Sequence, residues 1–156
     1  MVTHESRSAL SRARFFLGKA AGAPADQRAE FEAYLEAAIV FGRAAVHRFK
    51  TRHEKHSSWT AWWGSLLKDP SIGFFRDERD WILKQGPPQI GQRIGMPSIG
   101  PQGQHIPAAP VVLASQSYYF DDPATPATDT VEQHLARLER LLQDADRQFG
   151  GAGSAT

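Results

Sequence analysis

Apolar residues recur at three- and four-residue steps over much of the chain, the spacing that places them on one face of an α-helix. The longest such stripe predicts a helix over residues 26–50, a segment rich in the good helix formers Ala and Glu. A second stripe predicts a helix over 130–149, with alternating steps of four and three that suit packing in a bundle. The two stripes comprise Phe31, Leu35 (or Tyr34), Ala38, Phe41, Ala45 and Phe49, and Val131, Leu135, Leu138, Leu142, Ala145 and Phe149.

Three shorter helices are indicated by the same spacing together with residues that begin or end helices. The first covers about 6–21. The next covers 59–67 and ends before Asp69–Pro70, since a residue that precedes proline disfavours the helical conformation. Another covers 72–85, with Ser71 as its expected N-cap. With the two long stripes, these segments predict five helices.

Residues 87–127 interrupt the helical pattern. They hold eight of the ten prolines, which exclude a continuous helix. Within them, 111–113 and 118–120 have the composition of strands, and 89–96 is their expected antiparallel partner. The insertion is therefore either a β-hairpin that lies on the helices or an ordered, irregular loop.

The expected fold is mainly α, a four- to five-helix up-down bundle with a Pro/Gly-rich extended insertion before the last helix. Residues 1–149 are predicted to form a single domain, because 156 residues suffice for one core and rarely for two. The Gly-rich end, 150–156, is expected to be disordered. The residues expected at the centre of the bundle are Phe31, Leu35, Ala38, Phe41, Phe75, Ile82, Leu135, Leu138 and Leu142.

Composition narrows the class of protein. The chain has no cysteine, which excludes disulfides, thiolate metal sites and cysteine nucleophiles. No apolar run approaches the roughly 20 residues that cross a bilayer, so we expect a soluble, cytoplasmic protein without membrane contact. No motif of high specificity for a reaction is present.

Charge is nearly balanced in total and uneven along the chain. With 18 Lys and Arg against 17 Asp and Glu, the formal net charge of +1 excludes a uniformly basic surface. Between residues 43 and 56, however, five basic residues face a single acid, Glu54. Such a patch either contacts phosphates or merely complements the negative end of a long helix. The candidate nucleic-acid contacts are Arg43, His47, Arg48, Lys50, Arg52 and Lys55.

Three histidines in the same segment do not have the spacing of a metal site. His53 and His56 share a helix face, but His47 lies well round the cylinder from them. The neighbouring Lys and Arg residues would also repel a cation. We therefore expect no metal and no cofactor.

The helix predicted over 72–85 carries charge on or beside its buried face. The stripe of Ile72, Phe75 and Ile82 is interrupted at Glu78 and Arg79. A buried, unpaired guanidinium would cost several kcal/mol, so Arg79 is expected to pair with a carboxylate of the preceding long helix, either Glu36 or Glu32.

Two interpretations of Arg79 follow. It belongs to a buried ion pair that fixes the packing of the bundle, or it lines a groove together with Asp80 and Lys84. Arg79 and Lys84 are about 140 degrees apart around a helix, so they would flank such a groove without lying on one line.

The helix around Arg79–Asp80 resembles the signature helix of the HEPN family. An aliphatic and aromatic lead-in precedes Arg79–Asp80, and a hydrophobic pair, Lys84 and then Gly86 follow, while an Ala-rich helix with acids lies before it. The resemblance covers about residues 26–86 and the last helix. In this family an Arg and a His, separated by four to six residues, meet across a dimer and form a metal-independent ribonuclease site.

One departure from the family pattern changes the expected chemistry. Lys84 stands at the position of the family's His, and lysine normally stays charged near pH 7, where histidine exchanges a proton. The resemblance therefore implies a homodimeric, noncatalytic module that binds RNA or a partner protein. The alternative is a ribonuclease of toxin type that uses Arg79 and Lys84, with His47, His53 or His56 for proton transfer. The candidate catalytic residues are Arg79, Asp80, Lys84 and Glu36.

A third interpretation rests on the tryptophans. Trp59, Trp62 and Trp63 lie too close in sequence for all three rings to enter one core, so at least one is expected at the surface or under the insertion. An exposed tryptophan cluster would favour an assembly subunit that uses these rings as its interface.

Overall fold

Helices account for most of the computed structural model, which describes residues 4–93, 98–107 and 113–150. The helices are α1 (His4–Ala21), α2 (Arg28–His53), α3 (Trp59–Leu66), α4 (Pro70–Lys84) and α5 (Ala127–Gly150). Two-residue strands lie between α4 and α5: β1 (Gly91–Gln92), β2 (Ser98–Ile99), β3 (His105–Ile106) and β4 (Tyr118–Tyr119). This confirms the helical bundle with a strand-containing insertion before the last helix.

The helices α1 and α2 form an antiparallel pair. Near the start of α1, the Ser6 hydroxyl donates to the carbonyl oxygen of Ala45, 3.2 Å away. Farther along α1, Phe16 stacks on Phe41 with ring centroids 5.7 Å apart. Helix α5 runs back along α1, where Arg14 pairs with Glu139 at 2.8 Å. The apolar stripes of α1, α2 and α5 thus meet in one core.

Seven of the nine residues expected at the centre of the bundle are fully buried: Phe31, Leu35, Ala38, Phe75, Leu135, Leu138 and Leu142. The prediction was wrong for Phe41 and Ile82, which are only half-buried. Phe41 lies at the rim, where the guanidinium of Arg12 covers its ring. Ile82 lies in the second half of α4, whose buried residues all fall at or before Phe75. The fully buried part of α4 is therefore its N-terminal half, while Ile82 packs against the edge of the core.

The start of α4 differs from the prediction by two residues. Asp69, not Ser71, is the N-cap: its carboxylate accepts a hydrogen bond from the Ser71 backbone N–H at 2.9 Å, and Pro70 occupies the first helical position. The Ser71 hydroxyl is instead hydrogen-bonded to Nδ1 of His134, also at 2.9 Å. Asp69 also forms an ion pair with Arg137 of α5 at 3.0 Å. The contacts with His134 and Arg137 thus attach the N-terminal end of α4 to α5.

The insertion docks on the turn between α1 and α2. Strand β1 pairs antiparallel with β4, which confirms the expected pairing at 91–92 and 118–119, while 94–96 lie outside the described residues. Tyr118 stacks on Phe31 at 4.7 Å and donates its hydroxyl to the carbonyl oxygen of Ala25. Leu113 forms a single bridge with Pro24, while 111–112, also predicted as strand, lie outside the described residues. So do residues 151–156 of the predicted disordered end.

An aromatic cluster closes the end of the bundle where α2 leads into α3. Its members are Phe49, Trp59, Trp62, Trp63 and Phe149. Trp59 is buried at the centre, whereas the other two tryptophans are half-buried. The three rings thus pack in one cluster, contrary to the expectation that they would not share one core, and Trp62 and Trp63 lie at its partly exposed edge.

Among the helices of the described segments, none is both long enough and apolar enough to span a membrane.

Candidate nucleic-acid interface

Helices α2 and α4 are in close contact at a glycine. A Cβ added to Gly42 would lie 2.5 Å from the ring of Phe75, far inside van der Waals contact. The absence of a side chain at this position lets the aromatic ring of α4 rest on the backbone of α2. The next residue of each helix is an arginine, Arg43 and Arg76, so the close approach brings two cations to one surface.

Four basic side chains surround this approach, and we call them the arginine cluster: Arg43 and His47 of α2, and Arg76 and Arg79 of α4. Each pair is spaced by about one helical turn, so its members share a face. Arg76 and Arg79 both act electrostatically on Arg43, and Arg79 also acts on His47. The side chains of Arg76 and Arg79 are 43% and 40% exposed. The cluster is therefore open to an anion from solvent.

The acids paired with this cluster are neighbours in sequence. Arg79 pairs with Asp80 at 3.1 Å, and Arg76 pairs with Asp77 at 2.8 Å. These are solvent-exposed pairs, which contribute little stability and open readily. Two carboxylates thus face four basic groups, and a net positive field remains.

The expected pairing of Arg79 with α2 was wrong. Glu32 pairs with Arg28, one turn before it on α2, at 2.7 Å. Glu36 has Glu32 as its charged neighbour, and its own burial and this negative charge raise its pKa. Because Arg79 keeps contact with solvent, it does not need a buried carboxylate. The interpretation of Arg79 as half of a buried ion pair is therefore excluded.

Arg43 is the least solvated member of the cluster. It is half-buried, and its Nη1 atom is buried with no hydrogen-bond partner among the described residues. Burial lowers its pKa, and Arg79 and Arg76 lower it further, while Asp80 opposes them. A buried donor without an acceptor costs about 1–3 kcal/mol, more when it is charged. An anionic oxygen at this position would remove that cost.

His47 extends the cluster along α2 by one turn. Partial burial of its ring lowers its pKa, and the positive charges of Arg43, Arg79 and Lys50 lower it further. Its neutral form is therefore favoured near pH 7 in the free protein. A bound anion would reverse this effect, because it would stabilise the imidazolium.

The structure divides the six predicted nucleic-acid contacts among several surfaces. Arg43 and His47 join α4, whereas Arg48 turns toward α1 and donates to the carbonyl oxygen of Glu5 at 3.2 Å. Arg52 lies beside it, and a pocket of about 380 Å³ is lined by Glu5, His47, Arg48, Thr51 and Arg52. Lys55 is exposed beyond the end of α2.

Lys50 links the arginine cluster to the aromatic cluster. Its ammonium lies over the ring of Trp63, 5.5 Å from the centroid. On α2 it follows His47 by three residues and acts electrostatically on it. The basic face of α2 thus ends against a half-buried indole.

Two of the four predicted catalytic residues lie in or directly beside the cluster, and two do not. Arg79 and Asp80 form the ion pair described above. Lys84 is exposed at the last residue of α4, and the charges that act on Arg43 and His47 do not include it. Glu36 lies nearly two turns before Arg43 on α2. Lys84 and Glu36 therefore lie outside the arginine cluster.

His53 and His56 face the end of α5 instead of the arginine cluster. Their rings lie 5.6 Å and 4.9 Å from that of Phe149. Burial lowers the pKa of His53, and the nearby charges of Arg52 and His56 add to this effect. Across the described parts of the chain, no group of three or more His, Asp or Glu is placed to hold a metal ion.

Arg76 was not among the site residues predicted from the sequence. Its signal was present, because it precedes Arg79 by three residues and therefore shares its face of α4. What the sequence did not show is that this face meets Arg43.

Comparison with known proteins gives no relative: no family model matches the chain, and neither the curated proteins nor the solved structures contain a match.

Proposed function

We propose that this protein is a noncatalytic, HEPN-like helical bundle that binds the phosphate backbone of RNA through the arginine cluster. The observation that carries the proposal is the environment of the Arg43 guanidinium. Among the described residues its buried Nη1 has no acceptor, and it lies in a group of four basic side chains, two of which pair with exposed carboxylates of their own helix. Phosphate oxygens supply such acceptors, and arginine binds them with its planar fork of donors.

Direct titration tests the proposal. A fluorescein-labelled RNA of mixed sequence is titrated with protein at several salt concentrations, and affinity is expected to fall steeply as salt rises. Arg43→Gln and Arg79→Gln should each weaken binding several-fold and reduce the salt slope by about one unit. Arg140→Gln is the matched control, because it removes the same charge from an exposed site on α5.

Two results of this titration would count against the proposal. Equal losses in all three variants would show that only net charge matters, which would contradict a specific site. No binding of RNA by the unmodified protein at low salt would contradict the proposal itself.

A second candidate function is a metal-independent ribonuclease, and the position of His47 favours it. Of the three histidines considered for proton transfer, His47 is the one in the field of Arg79, while His53 and His56 pack against Phe149. Arg79 would stabilise negative charge on the phosphate and His47 would exchange the proton. Cleavage of RNA in the presence of a chelator, lost in His47→Gln and retained in His56→Gln, would replace the noncatalytic proposal with this one.

The resemblance also leads us to propose a homodimer, located in the cytoplasm. Exposed apolar side chains lie next to the cluster on both helices: Val40 is one turn before Arg43, and Leu83 is one turn beyond Arg79. Sedimentation is expected to give twice the monomer mass, and Leu83→Glu is expected to shift it to the monomer. A wild-type chain that sediments as a monomer at high concentration would exclude the dimer.

A further inference from the structure

Basic and aromatic side chains form one continuous surface on this protein. Along α2, Arg43, His47 and Lys50 follow one another at steps of four and three residues, so they lie on one face. The first of them meets α4 at the approach set by Gly42 and Phe75. The last lies over the ring of Trp63. The surface therefore has cationic side chains at one end and the indole ring of Trp63 at the other.

The ring of Trp63 is held in place by the aromatic cluster. It stacks on Trp59 with centroids 5.3 Å apart and planes 21° from parallel, and Trp62 lies 6.5 Å away. Trp59 in turn is buried against Phe49 and Phe149. Trp63 nevertheless remains partly exposed. A ring that is fixed from behind and open to solvent loses little conformational entropy when another flat group stacks on it.

Cationic side chains followed by an aromatic ring have the chemistry that binds single-stranded nucleic acid. Phosphates contact the cations while unpaired bases stack on the ring, a combination that tolerates any sequence. In a duplex the bases are already stacked on each other and are not available to an indole. A duplex would therefore use only the basic half of this surface.

We propose that this surface selects single-stranded RNA over duplex RNA, with Trp63 as the platform for an unpaired base and Lys50 as the adjacent phosphate contact. In the free protein the Lys50 ammonium lies over the indole ring of Trp63. On binding, the base takes its place at the ring, and the ammonium moves to the phosphate of the same nucleotide. This proposal rests on the proposed function, since the arginine cluster supplies the remaining phosphate contacts.

The experiment compares two RNAs of about 12 nucleotides, one without self-complementarity and one annealed to its complement, by fluorescence anisotropy in the same buffer. The unmodified protein is expected to bind the single strand about tenfold more tightly than the duplex, in line with the contribution of one stacked base. Trp63→Leu should remove this difference by weakening the single strand alone. Trp63→Phe should restore part of it, because a smaller ring still stacks.

Two further variants serve as controls, because Trp63→Leu could weaken RNA binding by disturbing the aromatic cluster. Trp81→Leu removes an exposed tryptophan of α4 that donates its indole N–H to the carbonyl oxygen of Pro87, outside the surface, and should leave both affinities unchanged. Lys50→Gln leaves the indole intact and should weaken both RNAs by a single phosphate contact. Circular dichroism of each variant reports whether the helices are retained.

Failure of this proposal is distinguishable from failure of the proposed function. Equal affinities for the two RNAs, with Trp63→Leu unchanged, would overturn the stacking platform and leave phosphate binding by the arginine cluster in place. Binding of neither RNA would overturn both.

Discussion

Gly42 lies directly against the ring of Phe75, and this contact sets the distance between α2 and α4. Glycine in the middle of a helix costs about 0.5–1 kcal/mol relative to alanine. At position 42 this cost is offset by the close packing that glycine permits, because an added Cβ would lie 2.5 Å from the fully buried ring of Phe75. The arginine cluster depends on this contact for the relative placement of its two halves.

Gly42→Ala is therefore expected to destabilise the protein. Overpacking of the buried ring should outweigh the gain in helix propensity and lower the free energy of unfolding by about 1–3 kcal/mol. Gly18→Ala is the matched control on α1, where an added Cβ meets nothing within 4 Å. That variant should be stabilised by about 0.5–1 kcal/mol. Urea unfolding of the two variants measures both, and equal stabilisation would contradict the contact.

Removal of the carboxylate of Asp80 is expected to strengthen RNA binding. Asp80 pairs with Arg79 and offsets the positive charge that acts on Arg43. In Asp80→Asn the guanidinium of Arg79 is free for phosphate, so affinity should rise several-fold at low salt and less at high salt. Asp144→Asn removes an equivalent acid that pairs with Arg147 on α5 and should change affinity less. A loss of affinity in Asp80→Asn would indicate that the pair positions Arg79 instead of competing for it.

The Tyr118 side chain is expected to fasten the insertion to the bundle. Its ring is buried on Phe31, and its hydroxyl donates to the carbonyl oxygen of Ala25 at 2.8 Å. Tyr118→Phe should cost about 1 kcal/mol of unfolding free energy, and Tyr118→Ala about 3–5 kcal/mol. Tyr119→Phe, on the next residue, serves as control, and chemical denaturation compares the three. Identical stability of Tyr118→Ala and the wild type would show that the insertion contributes nothing to folding.

Acidification is expected to destabilise the contact between α4 and α5 at His134. Burial lowers the pKa of His134, and the opposing effect of Asp69 is smaller. The unfolded chain therefore takes up the proton first, near the ordinary histidine pKa of about 6.5. The free energy of unfolding should fall as pH decreases through this value and level off below the lower, folded-state pKa.

The variant His134→Gln tests this assignment. It keeps a polar group near the Ser71 hydroxyl and does not titrate. Its free energy of unfolding should change less between pH 8 and pH 5.5 than that of the wild type. Part of the remaining dependence should come from His47 and His53, whose pKa values are also lowered. An unchanged pH dependence in His134→Gln would contradict the role of this residue.

Periodicity in the sequence was enough to predict the five helices. The stripes of α2 and α5 are long, and a face that repeats over several turns leaves little choice of structure. The eight prolines of residues 87–127 excluded helix there with equal certainty. The pairing of β1 with β4 also followed from local composition. At the start of α4 the prediction erred by two residues, because Asp69 and Ser71 are both good caps and the contact of Ser71 with His134 decided between them.

The sequence by itself determined which segments are helical, which faces are apolar, and that cations are concentrated near the end of α2. Only the tertiary structure decided which of those cations meet. Arg43 and Arg76 are 33 positions apart, and nothing local links them. Their proximity follows from the packing of Phe75 on Gly42. Arg79 likewise paired with Asp80 and not with Glu36, because the fully buried residues of α4 all lie in its N-terminal half and the Arg79 side chain keeps contact with solvent. Helix formation depends on neighbours in sequence, whereas a binding surface depends on how helices pack.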